Sequence, residues 1–493
     1  MSRGPDAGRV PQGLVFFLVL CLGACTVAVQ APVPVAGVPV PAPAPKLWPR
    51  EIVARARLAA EAGEVLQWAA ETGAGLVVWT PRSFPGADGQ GQTLPGRRRA
   101  WMQRLNRPGT RSWRQAQAVT ERRLGDRDTV NVIDLLPGGV PCARRVELRA
   151  ISPSALFWVD VGPVEGDPCQ TGPEPLPDDL LRAWVAEVDG SEQSVLARLS
   201  ALFRPIPLAA DVDGDPRVHV ILSPAVGSFG RDRGLEGFFW PTDLAPDSEP
   251  RSNGREAIYL RLGALREDRA EATGVLVHEL AHLLTFAGRR ARRAAVWPTW
   301  WDEGVAMWAM GRTGHGVPEG RTSVLKDVAA VLADPSAWSL SDWAGNPRGG
   351  GYGLVYLYLE WLQERFGETL VREILEDPDT LEVALARGLL KRGTHPRDEF
   401  LMMGAALLLV GGQVRSNGWL EPPADLRNMT LFNGPDGPWF TALRATPVPV
   451  ARLRPAVFHV MATLGGPAIW QAPLPVEAIR LDLGPAGGED PSR

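Results

Sequence analysis

His278-Glu279-Leu280-Ala281-His282 is the stretch on which the reading of this chain turns, with Trp300-Trp301-Asp302-Glu303-Gly304 following it. On a helix, His278 and His282 stand one turn apart (i, i+4), so both imidazoles leave the same face. Each can give one nitrogen to a single tetrahedral metal. Glu279, about 100° round the helix, leans towards the water such a metal would bind. A third protein ligand makes an open, catalytic site rather than a closed structural one, and Glu303 is placed to supply it. The chain has only six histidines, and two of them are spent on this spacing. A five-residue pattern with two free positions does recur by chance on helices. Here, however, the flanks Val275, Leu276, Val277, Leu283 and Leu284 are apolar, so the polar residues would be buried and would need partners.

Zinc is the metal expected for two imidazoles and a carboxylate. It would polarise a carbonyl, while Glu279 takes a proton from the attacking water and hands it to the leaving nitrogen. Asp302 is the rival to Glu303, since an acidic first turn is also what a helix dipole alone favours. Thr299 and Asp302 are spaced as a capping box that starts the helix of Glu303.

Around this core the chain is long and ordinary in composition. At 493 residues it exceeds one typical domain, and 45% apolar with 22% charged residues is usual for a globular protein. A net charge of −4 carries no basic footprint, which argues against nucleic acid as a partner. Eighteen tryptophans against four tyrosines is an unusual bias, attributable only to core and interface filling.

The N-terminus reads as an address. Arg3 and Arg9 precede the apolar run Gly13 to Ala24, too short to span a bilayer and of the length of a signal core. It ends in Leu22-Gly23-Ala24-Cys25, which resembles the lipobox of bacterial lipoproteins. The resemblance implies cleavage before Cys25 and acylation there, with residues 1–24 as signal peptide; an ordinary secretory signal cut nearby is the alternative. Residues 25–47 contain the Pro-rich run 31–45, read as an extended tether. The protein is therefore expected in the cell envelope, held to a membrane by its lipid. With Cys21 removed and Cys25 acylated, Cys142 and Cys169 remain and are expected to pair as a disulfide in an oxidising compartment.

Three folded regions are expected. Residues 48–175 read as a mixed α/β region, with a helical pattern from Trp48 to about Thr72. Strand-like runs follow at 75–79, 130–136, 146–151 and 155–161. Residues 176–395 form the functional unit: helical spacing over 180–203, strands at 218–222 and 257–260, and the motif helix stopping at Gly288. Beyond it come the helix of Glu303 and a helix from Gly353 to Phe366. Residues 396–493 carry one helix and a small β region. The fold class is α+β.

The HExxH motif with its Trp-Trp-Asp-Glu-Gly helix resembles the glutamate-liganded zincins, or gluzincins. Within that group, Asp211-Val212-Asp213-Gly214-Asp215, Gly237 to Asp243, Ser252-Asn253 and Glu256 to Leu260 look like the hyicolysin-like neutral metalloproteinases. The likeness covers roughly residues 155–380. It implies a zincin-like core, the ligands His278, His282 and Glu303 with Asp302 left as a surface cap, and an edge strand near Glu256 to Arg261 able to hold an extended peptide. It also implies endopeptidase activity on peptide or protein substrates. In thermolysin relatives an acid often stands four residues after the glutamate ligand; here that position is Met307, so the group orienting the histidines is open. Gluzincins often draw a tyrosine from the later helix to stabilise the oxyanion: Tyr352 is the candidate, Tyr356 the fallback and His315 an outside choice.

Asp211, Asp213 and Asp215 suggest a Ca2+ loop, but Leu222 stands where an EF-hand needs its closing glutamate, and a polar turn is the simpler reading. Arg289 to Arg293 reads as a solvated helix end. The rival to a peptidase is a catalytically inactive zincin-fold surface lipoprotein serving as a binding or scaffold module, and a zinc hydrolase of another amide is a third possibility.

Overall fold

The computed structural model describes residues 57–60, 65–68, 75–81, 94–105 and 121–132, then 141–410 with short interruptions. Near the C-terminus it describes 433–434, 437–438, 459–463, 468–471 and 476–482. The signal, Cys25 and the tether lie outside these residues.

In chain order, β1 (Arg57–Ala60), β2 (Val65–Trp68) and β3 (Gly75–Pro81) precede helix α1 (Leu94–Leu105). Then follow β4 (Arg127–Val132), β5 (Cys142–Ile151), β6 (Ala155–Pro163), α2 (Asp178–Asp189), α3 (Val195–Leu202) and β7 (Val218–Ser223). The short strand β8 (Gly237–Phe239) runs into a 3-10 turn, Pro241–Leu244, before β9 (Ala257–Arg261) and α4 (Leu262–Glu267). The long helix α5 (Arg269–Ala291) and α6 (Thr299–Arg312) follow, with α7 (Thr322–Ala333) and α8 (Tyr352–Phe366) next. After α9 (Glu368–Glu376), α10 (Leu381–Leu390) and α11 (Pro396–Val410) come β10 (Asn433–Gly434), β11 (Gly437–Pro438), β12 (His459–Thr463), β13 (Ala468–Gln471) and β14 (Val476–Asp482). The mixture of helix and strand agrees with an α+β class.

One six-stranded sheet, in the order β4-β5-β6-β7-β9-β8, carries the functional unit. Strands β6, β7 and β9 are parallel, and β8 runs antiparallel to β9 at the edge. Every residue of β7 is buried, as expected for a central strand covered on both faces. The pleat sorts the side chains: Phe157, Val159, Val220, Leu222, Ile258, Leu260 and Phe239 enter the main core with the helices. Leu156, Trp158, Ile221, Tyr259 and Phe238 enter a smaller cluster on the other face. The edge strand expected at 256–261 is therefore interior, and β8, itself buried, is the edge strand on this side. A longer apolar run wins the centre because it buries both faces.

Helix α5 packs along the main face. Its N-cap is Asp268, whose side chain accepts from the Ala270 and Glu271 N–H groups. Leu276, Val277, Leu280, Leu283 and Leu284 are at most 1% exposed, and each such burial stabilises by roughly 1.5–3 kcal/mol. The helix passes Gly288 and continues to Ala291, because Arg289 has somewhere to go. Arg289 is buried, donates to the carbonyls of Ala295, Asp377 and Asp379, and stacks on Trp297 at 4.1 Å. This part of the basic cluster is a brace rather than a solvated end.

The tryptophan bias finds its place here. Trp158, Trp184, Trp300, Trp301, Trp308 and Trp361 are the largest of the fully buried side chains. All but Trp158 lie in the main core with the helices, and Trp158 lies in the smaller cluster on the other face; one indole covers about 150–250 Å².

Other expectations change. The helical spacing over 180–203 divides into α2 and α3, with Gly190 closing the first and the Ser194 hydroxyl capping the second. The described residues of the pattern from Trp48 to Thr72, 57–60 and 65–68, are strands rather than helix: β1 pairs with β14 and β2 with β13. Distant partners override local helix propensity there. β3 lies between β14 and β12. The expected region 48–175 is thus shared out: β1–β3 pair with C-terminal strands, whereas β4–β6 belong to the sheet of the functional unit. Cys142 and Cys169 are joined by a disulfide, with Cα atoms 5.4 Å apart.

Candidate metal centre

Helix α5 presents His278 and His282 towards the start of α6, whose first turn carries Glu303. His278 Nε2 lies 3.1 Å from His282 Nε2 and 3.1 Å from Glu303 Oε2, and His282 Nε2 lies 3.5 Å from the same oxygen. A tetrahedral ion with ligand bonds of about 2.0–2.2 Å sets its ligand atoms roughly 3.3–3.6 Å apart, close to the observed edges. Two ring nitrogens and a carboxylate oxygen that converge in this way fit a zinc ion. Among the described residues, this trio is one of two groups able to hold a metal. The other, Cys142 with Asp167 and Cys169, contains the disulfide.

Glu279 is buried beside them, and its Oε2 accepts the Phe239 N–H of β8 at 2.8 Å. This bond ties the carboxylate to the edge strand. Arg261 N–H donates to Glu236 O, so by antiparallel alternation Gly237 and Phe239 turn their backbone groups away from β9, towards the open side.

Asp302 is not a surface cap. The N-cap of α6 is Pro298 and no side chain caps it. Asp302 Oδ2 instead stands 3.1 Å from His282 Nδ1. A carboxylate there favours the ring proton on Nδ1 and turns the Nε2 lone pair to the centre. Met307, where an acid might have stood, is buried in the core. Helix spacing alone could not reveal the role of Asp302, because it depends on how α5 and α6 cross.

Tyr352 opens α8 with its ring 6.2 Å from that of His278 and 5.0 Å from that of Trp343. Burial and the nearby Glu303 carboxylate push its phenol well above the ordinary range, keeping it a neutral donor. Tyr356, a turn further on, packs near Gly311 of α6. His315 lies beside Gly274, one turn before His278, and contacts the Thr313 hydroxyl at 3.3 Å.

The residue that sequence reasoning missed altogether is Arg98, on α1. Its guanidinium reaches His282 Nε2 at 2.8 Å and Glu279 Oε2 at 3.5 Å, pairs with Glu303 Oε1 and stands 3.6 Å from Asp302. Nothing local marks it beyond the run Arg97-Arg98-Arg99. Burial alone would raise the Glu303 pKa, but Arg98 and His282 hold it well below the usual carboxylate range. Burial and Arg98 act to lower the His282 pKa, yet the Asp302 and Glu303 carboxylates hold it up at about 9. The pocket favours positive charge.

The described part of the proposed Ca2+ loop is engaged elsewhere. Asp215 pairs with Arg217, and Asp213 with the buried His219, which also accepts from the Trp158 indole N–H; Asp211 lies outside the described residues. His395 accepts the Arg397 N–H at the start of α11. His459 lies on β12.

Comparison with known protein families finds no match, and no curated protein matches the sequence either.

Proposed function

We propose that this chain is a gluzincin-type zinc peptidase, an endopeptidase with a zincin-like core, exported and held at a membrane through Cys25. The observation that carries the reading is the convergence of His278 Nε2, His282 Nε2 and Glu303 Oε2 at 3.1–3.5 Å, with Glu279 beside them. Zinc bound by these three residues would supply Lewis-acid polarisation of a carbonyl and lower the pKa of water to roughly 7.

The chain's own groups have distinct tasks. Glu279, oriented by the Phe239 N–H, accepts a proton from the attacking water on its carboxylate and delivers it to the leaving amide nitrogen. Asp302 keeps His282 in the ligating tautomer. Tyr352 is the candidate donor to the developing oxyanion. With the Phe239 N–H given to Glu279, β8 at the sheet edge would offer an extended peptide the Gly237 N–H and C=O and the Phe239 C=O, which is the usual way a sheet edge recognises one. The disulfide supports an oxidising compartment and hence export.

The test compares wild type with Glu279→Gln for zinc content and casein cleavage. Both should bind zinc, and the variant should lose activity by at least about 100-fold, the usual scale of general acid–base catalysis. Equal cleavage by both proteins would refute the mechanism. Zinc-bound wild type inert on broad peptide libraries would instead point to a scaffold protein.

A further inference from the structure

We infer that helix α1 is a built-in competitor for the metal centre, and that Arg98 holds the protein in a latent state which zinc and substrate must displace. The inference rests on reading His278, His282 and Glu303 as the metal site. One guanidinium, with its side chain 11% exposed, engages His282 and Glu303 and approaches Glu279 and Asp302. The His282 Nε2 has room for one partner: when neutral, its single lone pair takes one N–H or one metal ion, and when protonated it binds no metal. His282 Nε2 therefore serves either the Arg98 N–H or a metal ion, never both. A dication placed against an adjacent guanidinium in a buried pocket is also repelled.

The rest of α1 extends the block from the metal to the substrate cleft. Arg99 donates to Trp297 O at 3.0 Å, and Met102 is buried close to Trp297 and Asp302. The helix touches both α6 and the 3-10 turn that follows edge strand β8. It therefore lies across the side from which a peptide would approach. Its charge suits an acidic pocket: Leu94–Leu105 carries four arginines, Arg97, Arg98, Arg99 and Arg104, and no acid.

Met102 and Leu105 are the buried hydrophobic residues of α1 among those whose side chains are described. Arg98 adds a charge-based attachment to the site, which a cation at the same ligands would replace.

The experiment measures zinc affinity by chelator competition on the full chain, as wild type, Arg98→Ala and Arg98→Lys. Arg98→Ala should bind at least about tenfold tighter, because a competing charge-assisted contact is gone. Arg98→Lys should fall between the two. In parallel, adding zinc to wild type should speed tryptic cleavage within α1, a readout that needs no variant. Equal zinc affinity in all three proteins, with α1 equally protected with and without zinc, overturns the inference and leaves the metal site standing. Absence of zinc binding in every protein overturns both.

Discussion

Asp302 shows how much of a site can hang on one side-chain direction. Its carboxylate stands 3.1 Å from His282 Nδ1, while that of its neighbour Glu303 approaches the Nε2 atoms of both histidines. Removing the negative charge while keeping the shape should leave the fold intact and loosen the ring. Asp302→Asn should weaken zinc binding by about 10- to 100-fold, the usual cost of losing a carboxylate behind a ligating histidine, as measured by chelator competition. An unchanged affinity would make Asp302 a bystander. At this scale the two histidines and Glu279 are legible from the chain because their geometry is local, one helical turn. Asp302, the Phe239 N–H and Arg98 are not. Arg98 lies 184 residues before His282 in sequence, and no periodicity connects them.

The elements of the functional unit follow hydrophobic pattern well where burial is strong. β5, β6, β7, β9, α5, α6 and α8 coincide closely with runs visible in the sequence, because each buries a continuous apolar stripe. The failures occur where partners are remote: β1 (Arg-Leu-Ala-Ala) and β2 (Val-Leu-Gln-Trp) are four residues each and are strands through pairing with β14 and β13. Element spacing also explains why a glycine stands at 353, in the first turn of α8. A Cβ built there would come within 2.3 Å of the Asp327 carbonyl oxygen and 2.7 Å of the Val328 nitrogen, both backbone atoms of α7. Backbone cannot swing aside as a side chain can, so α7 and α8 must part. Gly353→Ala should destabilise by about 1–3 kcal/mol, the typical cost of overpacking, seen as a lower urea midpoint. The neighbouring Tyr352 should shift with it. Unchanged stability would mean that the two helices are looser than their spacing implies.

For the whole molecule, the disulfide and the candidate metal centre lie towards opposite ends of one sheet. β5 holds Cys142 and lies second in the order β4-β5-β6-β7-β9-β8, whereas Glu279 is tied to β8 at the other edge. The expected border at residue 175 obscured this, because it cut through a single sheet whose strands come from both sides of α2 and α3. The cysteines are separated by 27 residues, and closing a loop of that size restricts the unfolded chain by about 3–4 kcal/mol in the chain-entropy account. Local groups soften the loss without replacing it. Asp167 accepts from the Ala143 and Cys169 N–H groups, and the buried Arg144 is paired with Asp160. The double variant Cys142→Ser/Cys169→Ser should therefore lose about 2–4 kcal/mol, read as a lower denaturant midpoint. Wild type treated with dithiothreitol should move to the same midpoint, while the variant should not respond to it. Zinc affinity should be unchanged in the variant, since three strands separate β5 from β8. A parallel fall in zinc affinity would show that the sheet transmits the loss, and the two ends would then have to be treated as one cooperative unit.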